Sequence, residues 1–410
     1  MITSEASTTP QTARVGMRGS IEPWFSAYAL AGLLVNGIVP LLIPLTVTSR
    51  GTVAVAAALA AFFGGQLFAP VIGKIADRTG GQRTIFLGSF PLMGVAAIGF
   101  GLSDGLLGWC VAAVVAGATA GAVQTLGSVF ITEGHPEDEW DERIGWFRFV
   151  FGMGQVSGLA IGAVFADGHV HTGWYVAGVV IVFGTLLGRL RLPHLASAGS
   201  DPARPDSALP TPGGLRRELR GPFGRFLASW FLAMTAVQTF LNVMPLVMKD
   251  AFAVSSSHTA SWYLLASVVG ACLYPACGRL ADRYGCGWVL RTGLLITLTG
   301  LAVMTAAWIW HPSGDSWIGI AGLILVALGY PFDYIGATKM AADLTLDGQG
   351  SAMGLFNSAV AAGAIVGATV PSSLAARFGY GSLLPLAAGL IVAALLVGWG
   401  VLAREAYKPA

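Results

Sequence analysis

Asp333 stands inside an apolar run, Ser316 to Ala341, among Tyr330, Pro331, Phe332 and Tyr334. A carboxyl in such a run can carry a proton or hold a polar ligand. A charge within a membrane span costs about 2.5 to 3.5 kcal/mol on insertion scales, so the residue needs a partner or a function. It precedes Asp343 by ten residues, which is roughly 15 Å along a helix and close to mid-membrane. A proton-coupling or substrate-binding acid is one expectation; a structural acid satisfied by Tyr hydroxyls or a neighbouring helix is the other. Pro331 between two tyrosines predicts a broken or kinked segment. Uncharged polar residues recur in other apolar runs: Asn36, Gln66, Gln124, Gln155, Gln238, Asn242 and Asn357. Each can line a cavity or simply bond to another helix. Arg148, about one turn inside its run, is expected to snorkel to the membrane interface. No Ser/His/Asp, zinc or phosphate-loop constellation appears, so neither an enzyme nor a cofactor is expected. His135 with Glu137, Asp138, Glu139, Asp141 and Glu142 lacks the glycine turn and ligand spacing of a calcium loop. Cys110, Cys272, Cys277 and Cys286 show no metal spacing either.

The elements that must position these residues follow from composition. The chain has 55% hydrophobic and 11% charged residues and a mean hydropathy of +0.70, whereas soluble chains carry roughly 25% charged residues. A net charge of +2 argues against nucleic acid as a partner. Because a bilayer-crossing helix needs about 20 apolar residues, twelve spans are predicted. They run near Trp24 to Thr46, Val53 to Ile72, Thr84 to Leu102, Leu106 to Ile131, Gly145 to Ala166 and Gly173 to Leu190. After the middle come Phe223 to Met248, Thr259 to Cys277, Trp288 to Trp308, Ser316 to Ala341, Gly350 to Leu374 and Ser382 to Leu402. With these spans, all 23 Lys and Arg except Arg50, Lys249 and Arg377 fall on one side. Positive charge marks the cytoplasmic side, so both termini are expected there. The predicted organisation is a disordered N-terminus (1–20), a first six-helix bundle (21–192), a cytoplasmic linker (193–222), a second bundle (223–403) and a tail (404–410). No removable signal peptide is expected, since the first twenty residues are polar without a short apolar core. Arginine far outnumbers lysine amid much Ala and Gly, a composition typical of GC-rich bacterial genomes. The bacterial inner membrane is the expected location.

The two halves repeat. Pro70-x-x-Gly73-Lys74-x-Ala76-Asp77-Arg78-x-Gly80 returns as Pro275-x-x-Gly278-Arg279-x-Ala281-Asp282-Arg283-x-Gly285 at a constant offset of 205, shared by Pro40-Leu41 and Pro245-Leu246. A second echo, Gly145-x-Phe147, Gly154 and Gly158, returns as Gly354-x-Phe356, Gly363 and Gly367 at an offset of 209. The halves are therefore structural copies. The loop G-x-x-x-D-R-x-G between spans two and three, matched between eight and nine, resembles the signature loop of the major facilitator superfamily.

That resemblance implies an all-α membrane protein, two pseudo-symmetric six-helix bundles around a central cavity, working by alternating access as a monomer. In this family spans one, four, seven and ten line the cavity. The resemblance thus implies substrate contacts at Asn36, Gln124, Gln238, Asn242 and Asp333, with Tyr330, Tyr334 and Asn357 as further candidates. It implies a cytoplasmic gate network of Gly73, Asp77, Arg78, Glu133 and Arg143, with a second copy in Gly278, Asp282, Arg283 and Asp343. Paired charges with two discrete arrangements suit a gate; anchoring of the loops alone is the simpler role. Gly154-x-x-x-Gly158 followed by Gly162 resembles the family's fifth-span antiporter motif, but Leu159 replaces its proline and Ala163 its last glycine. Ala113 stands where proton-linked members often carry Arg. The expected function is proton-coupled export (antiport) of a small amphipathic molecule, since the expected cavity offers amides, aromatics and one acid but few fixed charges. The alternative is a proton-coupled importer (symporter) of a small metabolite such as a monocarboxylate; a receptor or scaffold is remote. Expected partners are a small-molecule substrate, protons and the lipid bilayer.

Overall fold

A computed structural model describes residues 22–134, 140–190, 192, 219–310, 316–344 and 349–402. The central linker expected at 193–222 lies largely outside this set, and so do both chain ends. Among the described residues the secondary structure is helical throughout. Eleven helices are long and apolar enough to cross a membrane: Phe25–Arg50, Thr52–Gly73, Gln82–Leu102, Leu106–Ile131, Trp146–Phe165 and Val170–Gly188 in the first half, then Ser256–Tyr284, Cys286–Trp310, Ser316–Ala341, Leu355–Phe378 and Tyr380–Leu402 in the second. A twelfth span is divided between Pro222–Leu241 and Met244–Phe252, which meet at 62°. We number the spans one to twelve in chain order, with the divided span as seven.

Span seven departs from the single helix expected over Phe223 to Met248. Val243 leaves helical geometry at φ −132° and ψ 20°, and Pro245 opens the second piece. Proline has no N–H to continue the first helix but is pre-set for the first turn of a new one. Span one is irregular in a different way, since Leu33–Ile38 forms a π-helical turn and the Val39 N–H reaches back to the Leu34 carbonyl. Pro40 cannot donate to the Asn36 carbonyl, and the wider turn accommodates that missing bond. Span ten, expected to be broken or kinked at Pro331, is one unbroken helix within Ser316–Asp343. A β-carbon on Gly270 of span eight would lie 3.4 Å from Pro331 and 3.7 Å from the Ala327 carbonyl oxygen. Span eight therefore packs over the position whose helical bond proline removes.

Lipid is as apolar as leucine, so the helices associate through close packing rather than through the hydrophobic effect. Span five shows how. A β-carbon at Gly154 would overlap the Ala29 carbonyl oxygen, one at Gly158 would sit 2.9 Å from Gly37 Cα, and one at Gly162 would overlap the Leu41 side chain. The glycine row thus lays span five directly on the backbone of span one. The second half repeats the device, with Gly363 against Met234 and Thr235, and Gly367 against the Thr235 carbonyl oxygen. Aromatic contacts repeat as well: Phe147 stacks on Tyr28 with ring centres 3.6 Å apart, and Phe356 stacks on Trp230 at 5.3 Å. Between the halves, span two packs on span eleven and span five on span eight.

Gly152, two residues away, has open space where its β-carbon would be. Gly154→Ala is expected to destabilise the protein by about 1–3 kcal/mol through overpacking, while Gly152→Ala leaves the melting temperature in detergent unchanged. Equal melting temperatures for the two variants would contradict the backbone contact.

Candidate functional site

The repeated stacks converge on one side chain. Arg148 of span five follows Phe147 and turns between the halves, where Nη1 donates to the Tyr28 hydroxyl at 3.4 Å and the guanidinium lies over the Tyr334 ring, 5.9 Å from its centre. Tyr334 in turn stacks with Tyr330 at 5.9 Å and meets Phe356 edge-on at 6.0 Å. Tyr330 and Tyr274 also lie within electrostatic reach of the guanidinium. An aromatic path Phe147–Tyr28–Arg148–Tyr334–Phe356–Trp230 therefore crosses from one half to the other. This corrects the expectation that Arg148 snorkels to the interface. What holds it inward is the attraction of a cation for tyrosine rings and hydroxyls, a surrounding that the linear sequence did not bring together.

Seven residues further along span five, roughly 10 Å away, Gln155 joins three helices. Its Oε1 accepts from Asn36 Nδ2 at 3.3 Å, its Nε2 donates to Ser267 Oγ at 3.4 Å, and the Tyr263 hydroxyl lies beside both Gln155 and Ser267. The π-turn of span one is what aims Asn36 at this group. Arg148 and the amide–hydroxyl group share a face of span five, giving a polar strip about 10 Å long between the halves.

The remaining candidates take other places. Asn242 is buried at the break in span seven, with Nδ2 unpartnered. Gln238, one turn before it, packs against Gly367. Gln124 is partly buried in span four, its carbonyl accepting from Ser128 at 3.1 Å. Asn357 is exposed and joins none of these contacts. Asp333 is fully buried, but it faces span nine: Oδ2 accepts from Thr297 Oγ1 at 3.1 Å while Oδ1 has no hydrogen-bond partner. A β-carbon on Gly293 would come within 2.6 Å of the Asp333 backbone nitrogen, so span nine fits closely over the acid. Tyr330 and Tyr334 leave the same helix toward the opposite half.

At the end carrying the signature loops, Arg143 pairs with Glu22 before span one at 2.6 Å, a partner the sequence reading missed. Asp282 is ion-paired to Lys339 of span ten, also missed. Arg283 lies over Tyr284 at 5.2 Å, and Asp343 accepts from the Cys286 thiol at 3.5 Å. Gly73 faces Thr125 of span four, Gly278 has free space around it, and Arg78 is exposed. The side chains of Asp77 and Glu133 lie outside the described residues. Both ion pairs stay within one half. At the opposite end the halves touch: the Ser257 N–H donates to Asp167 Oδ2 at 3.3 Å, and Thr52, Val55 and Ala56 of span two adjoin Thr239, Val243 and Gly367.

A sequence profile of the Major Facilitator Superfamily matches residues 24–272 and 226–410. The chain belongs to this superfamily. Its two overlapping matches fit the internal repeat, and the expected all-helical, two-bundle fold is borne out. No curated protein matches by sequence. Among solved structures this superfamily member resembles a point mutant of the nucleoside transporter NupG (TM-score 0.76, 12% identity, 95% of this chain and 100% of that one). It also resembles a bacterial homologue of the human lysosomal transporter Spinster in an inward-facing, unoccupied conformation (TM-score 0.71, 14% identity, 95% and 100% covered). At such identities the likeness shows the fold alone. Family membership makes this a multi-pass membrane protein and places its activity in secondary transport.

If the end away from the signature loops is a gate, Asp167→Cys with Ser257→Cys in a cysteine-free background should be joined by a short bis-methanethiosulfonate. After cleavage at a protease site inserted between the halves, they should then stay together on a gel. Separation under non-reducing conditions would show that the halves do not meet there.

Proposed function

We propose that this protein is a proton-coupled secondary transporter that exports a small amphipathic molecule by antiport, with its substrate on the polar strip between the halves. The observation that carries the reading is the division of span ten. Tyr330 and Tyr334 face the strip, while the adjacent Asp333 is the one fully buried acid among the described residues. A ligand that moves Tyr334 moves the helix carrying the carboxyl, and a proton gained or lost at Asp333 changes how span ten seats on Thr297 and Gly293. Occupancy of one site thereby biases the other, which is the requirement for coupling.

In the proposed orientation the signature loops and both termini are cytoplasmic, in accord with the distribution of Lys and Arg. The Asp167–Ser257 contact and the seam of Thr52 and Val55 with Thr239 and Val243 then lie at the external end, and in this reading the strip is reached from the cytoplasm, where an exporter collects its substrate. The pairs Arg143–Glu22 and Lys339–Asp282 are available to be exchanged for contacts between the halves when that end closes. Import of a metabolite by symport would use the same groups, and the sign of proton exchange separates the two.

Purified protein in weakly buffered solution with a pH-sensitive dye should release protons when substrate is added under antiport, and take them up under symport. Asp333→Asn should abolish the exchange while retaining ligand binding. Unchanged proton exchange in the variant would remove Asp333 from the mechanism.

A further inference from the structure

We propose that the transported molecule carries a single carboxylate on an aromatic or otherwise apolar body, and that Arg148 is the group that binds it. This rests on the reading of the strip between the halves as the substrate site. The guanidinium is a fixed charge in span five, and among the described residues it meets tyrosines and no carboxylate: a hydroxyl at 3.4 Å and a ring at 5.9 Å. Tyrosine faces and oxygens attract a cation without neutralising it, so the site retains a net positive charge. In contrast, Arg143 and Lys339 each have their acid.

Guanidinium is a planar fork matched to the two oxygens of a carboxylate, and a charge-assisted pair in a poorly hydrated site is strong and directional. Tyr28 occupies one edge of the fork through Nη1 alone, so other N–H donors remain for a ligand. The charge suits a monoanion, because one guanidinium cannot balance a phosphate dianion and Lys339 is engaged by Asp282. Beside the fork, Tyr334, Tyr330 and Phe356 offer flat apolar surfaces. Roughly 10 Å beyond it, the Asn36–Gln155–Ser267 group can bond a polar substituent at the far end of the body. The geometry therefore selects an aromatic acid over its neutral amide, and more so when a hydroxyl lies opposite the carboxylate.

The test uses benzoate, 4-hydroxybenzoate and indole-3-acetate, each beside its primary amide, at constant ionic strength. Binding is read from tryptophan fluorescence and from the melting temperature of the purified full-length protein. The expected result is saturable binding of the acids, at least tenfold tighter than of the amides. Arg148→Gln is expected to erase the difference between acid and amide, and Arg148→Lys to weaken acid binding about tenfold while keeping a residual preference. Arg148→Lys, which leaves a charge in place, serves if Arg148→Gln does not fold, and undiminished acid binding in it would count against the fork. Acids and amides binding alike, an acid preference that survives in Arg148→Gln, or no binding of any acid would each overturn the proposal. Uptake into proteoliposomes separates this failure from that of the transport reading. Arg148-dependent binding without uptake would overturn transport at this site and keep the anion site. Uptake of the neutral amides by both wild type and Arg148→Gln would do the reverse.

Discussion

Inside a bilayer no water is available to bond a peptide group, so each backbone segment must satisfy itself as a helix, and helices can gain affinity for one another only by coming close. In this chain that constraint is met most fully where Gly154 and Gly158 seat span five on Ala29, Leu33 and Gly37 of span one. The rest of the interior depends on that contact. With the two backbones touching, the neighbouring face of span five can point only between the halves, and it carries Arg148 and Gln155. The same contact brings Asn36 within hydrogen-bond reach of Gln155. A larger residue in the glycine row would move these polar groups along with the helix that bears them.

Much of the fold was legible because it follows from additive properties of the sequence. Span count, the asymmetry of Lys and Arg, and the repeat from Pro70 to Pro275 each sum over many residues, so no single neighbour decides them. The functional interior depends on direction instead. Whether Asp333 faces the space between the halves or span nine is set by the close fit of Gly293 and the hydroxyl of Thr297, and both belong to a neighbouring helix with no spacing that marks them. Arg148 was readable as a charge near a span end, but its inward turn needs Tyr28 and Tyr334, one from each half. Proline was a sound sign of irregular backbone and an imprecise one. Pro245 does open a new helix after the break, Pro40 is accommodated by a π-turn upstream, and Pro331 is absorbed within an unbroken helix.

The repeat also shows where function departs from architecture. Phe147 and Phe356 occupy corresponding positions, and both stack on a ring of the first helix of their half. The next residues also correspond, yet one is Arg148, drawn among tyrosines, and the other is Asn357, exposed and outside the cluster. Symmetry in the aromatic pair supports both bundles equally. A charge on one side alone makes the centre chemically one-sided, so a ligand with a polar end and an apolar body would bind in a single orientation.

In the proposed mechanism span ten gives that one-sidedness a route to coupling. If ligand and proton competed for one carboxyl, exchange would follow from direct displacement. Here the tyrosines and the acid leave the helix in different directions, so a ligand on Tyr334 has no direct contact with Asp333, and any exchange must pass through the position of the helix itself. A rigid span favours such transmission, since a break at Pro331 would let the two ends move independently. Continuity of the helix through Pro331, with Gly270 packed over the site of the missing bond, therefore belongs to the same design as the division of its faces. Span seven, broken at Asn242 and Val243, lacks that continuity and is correspondingly less suited to carry a signal along its length.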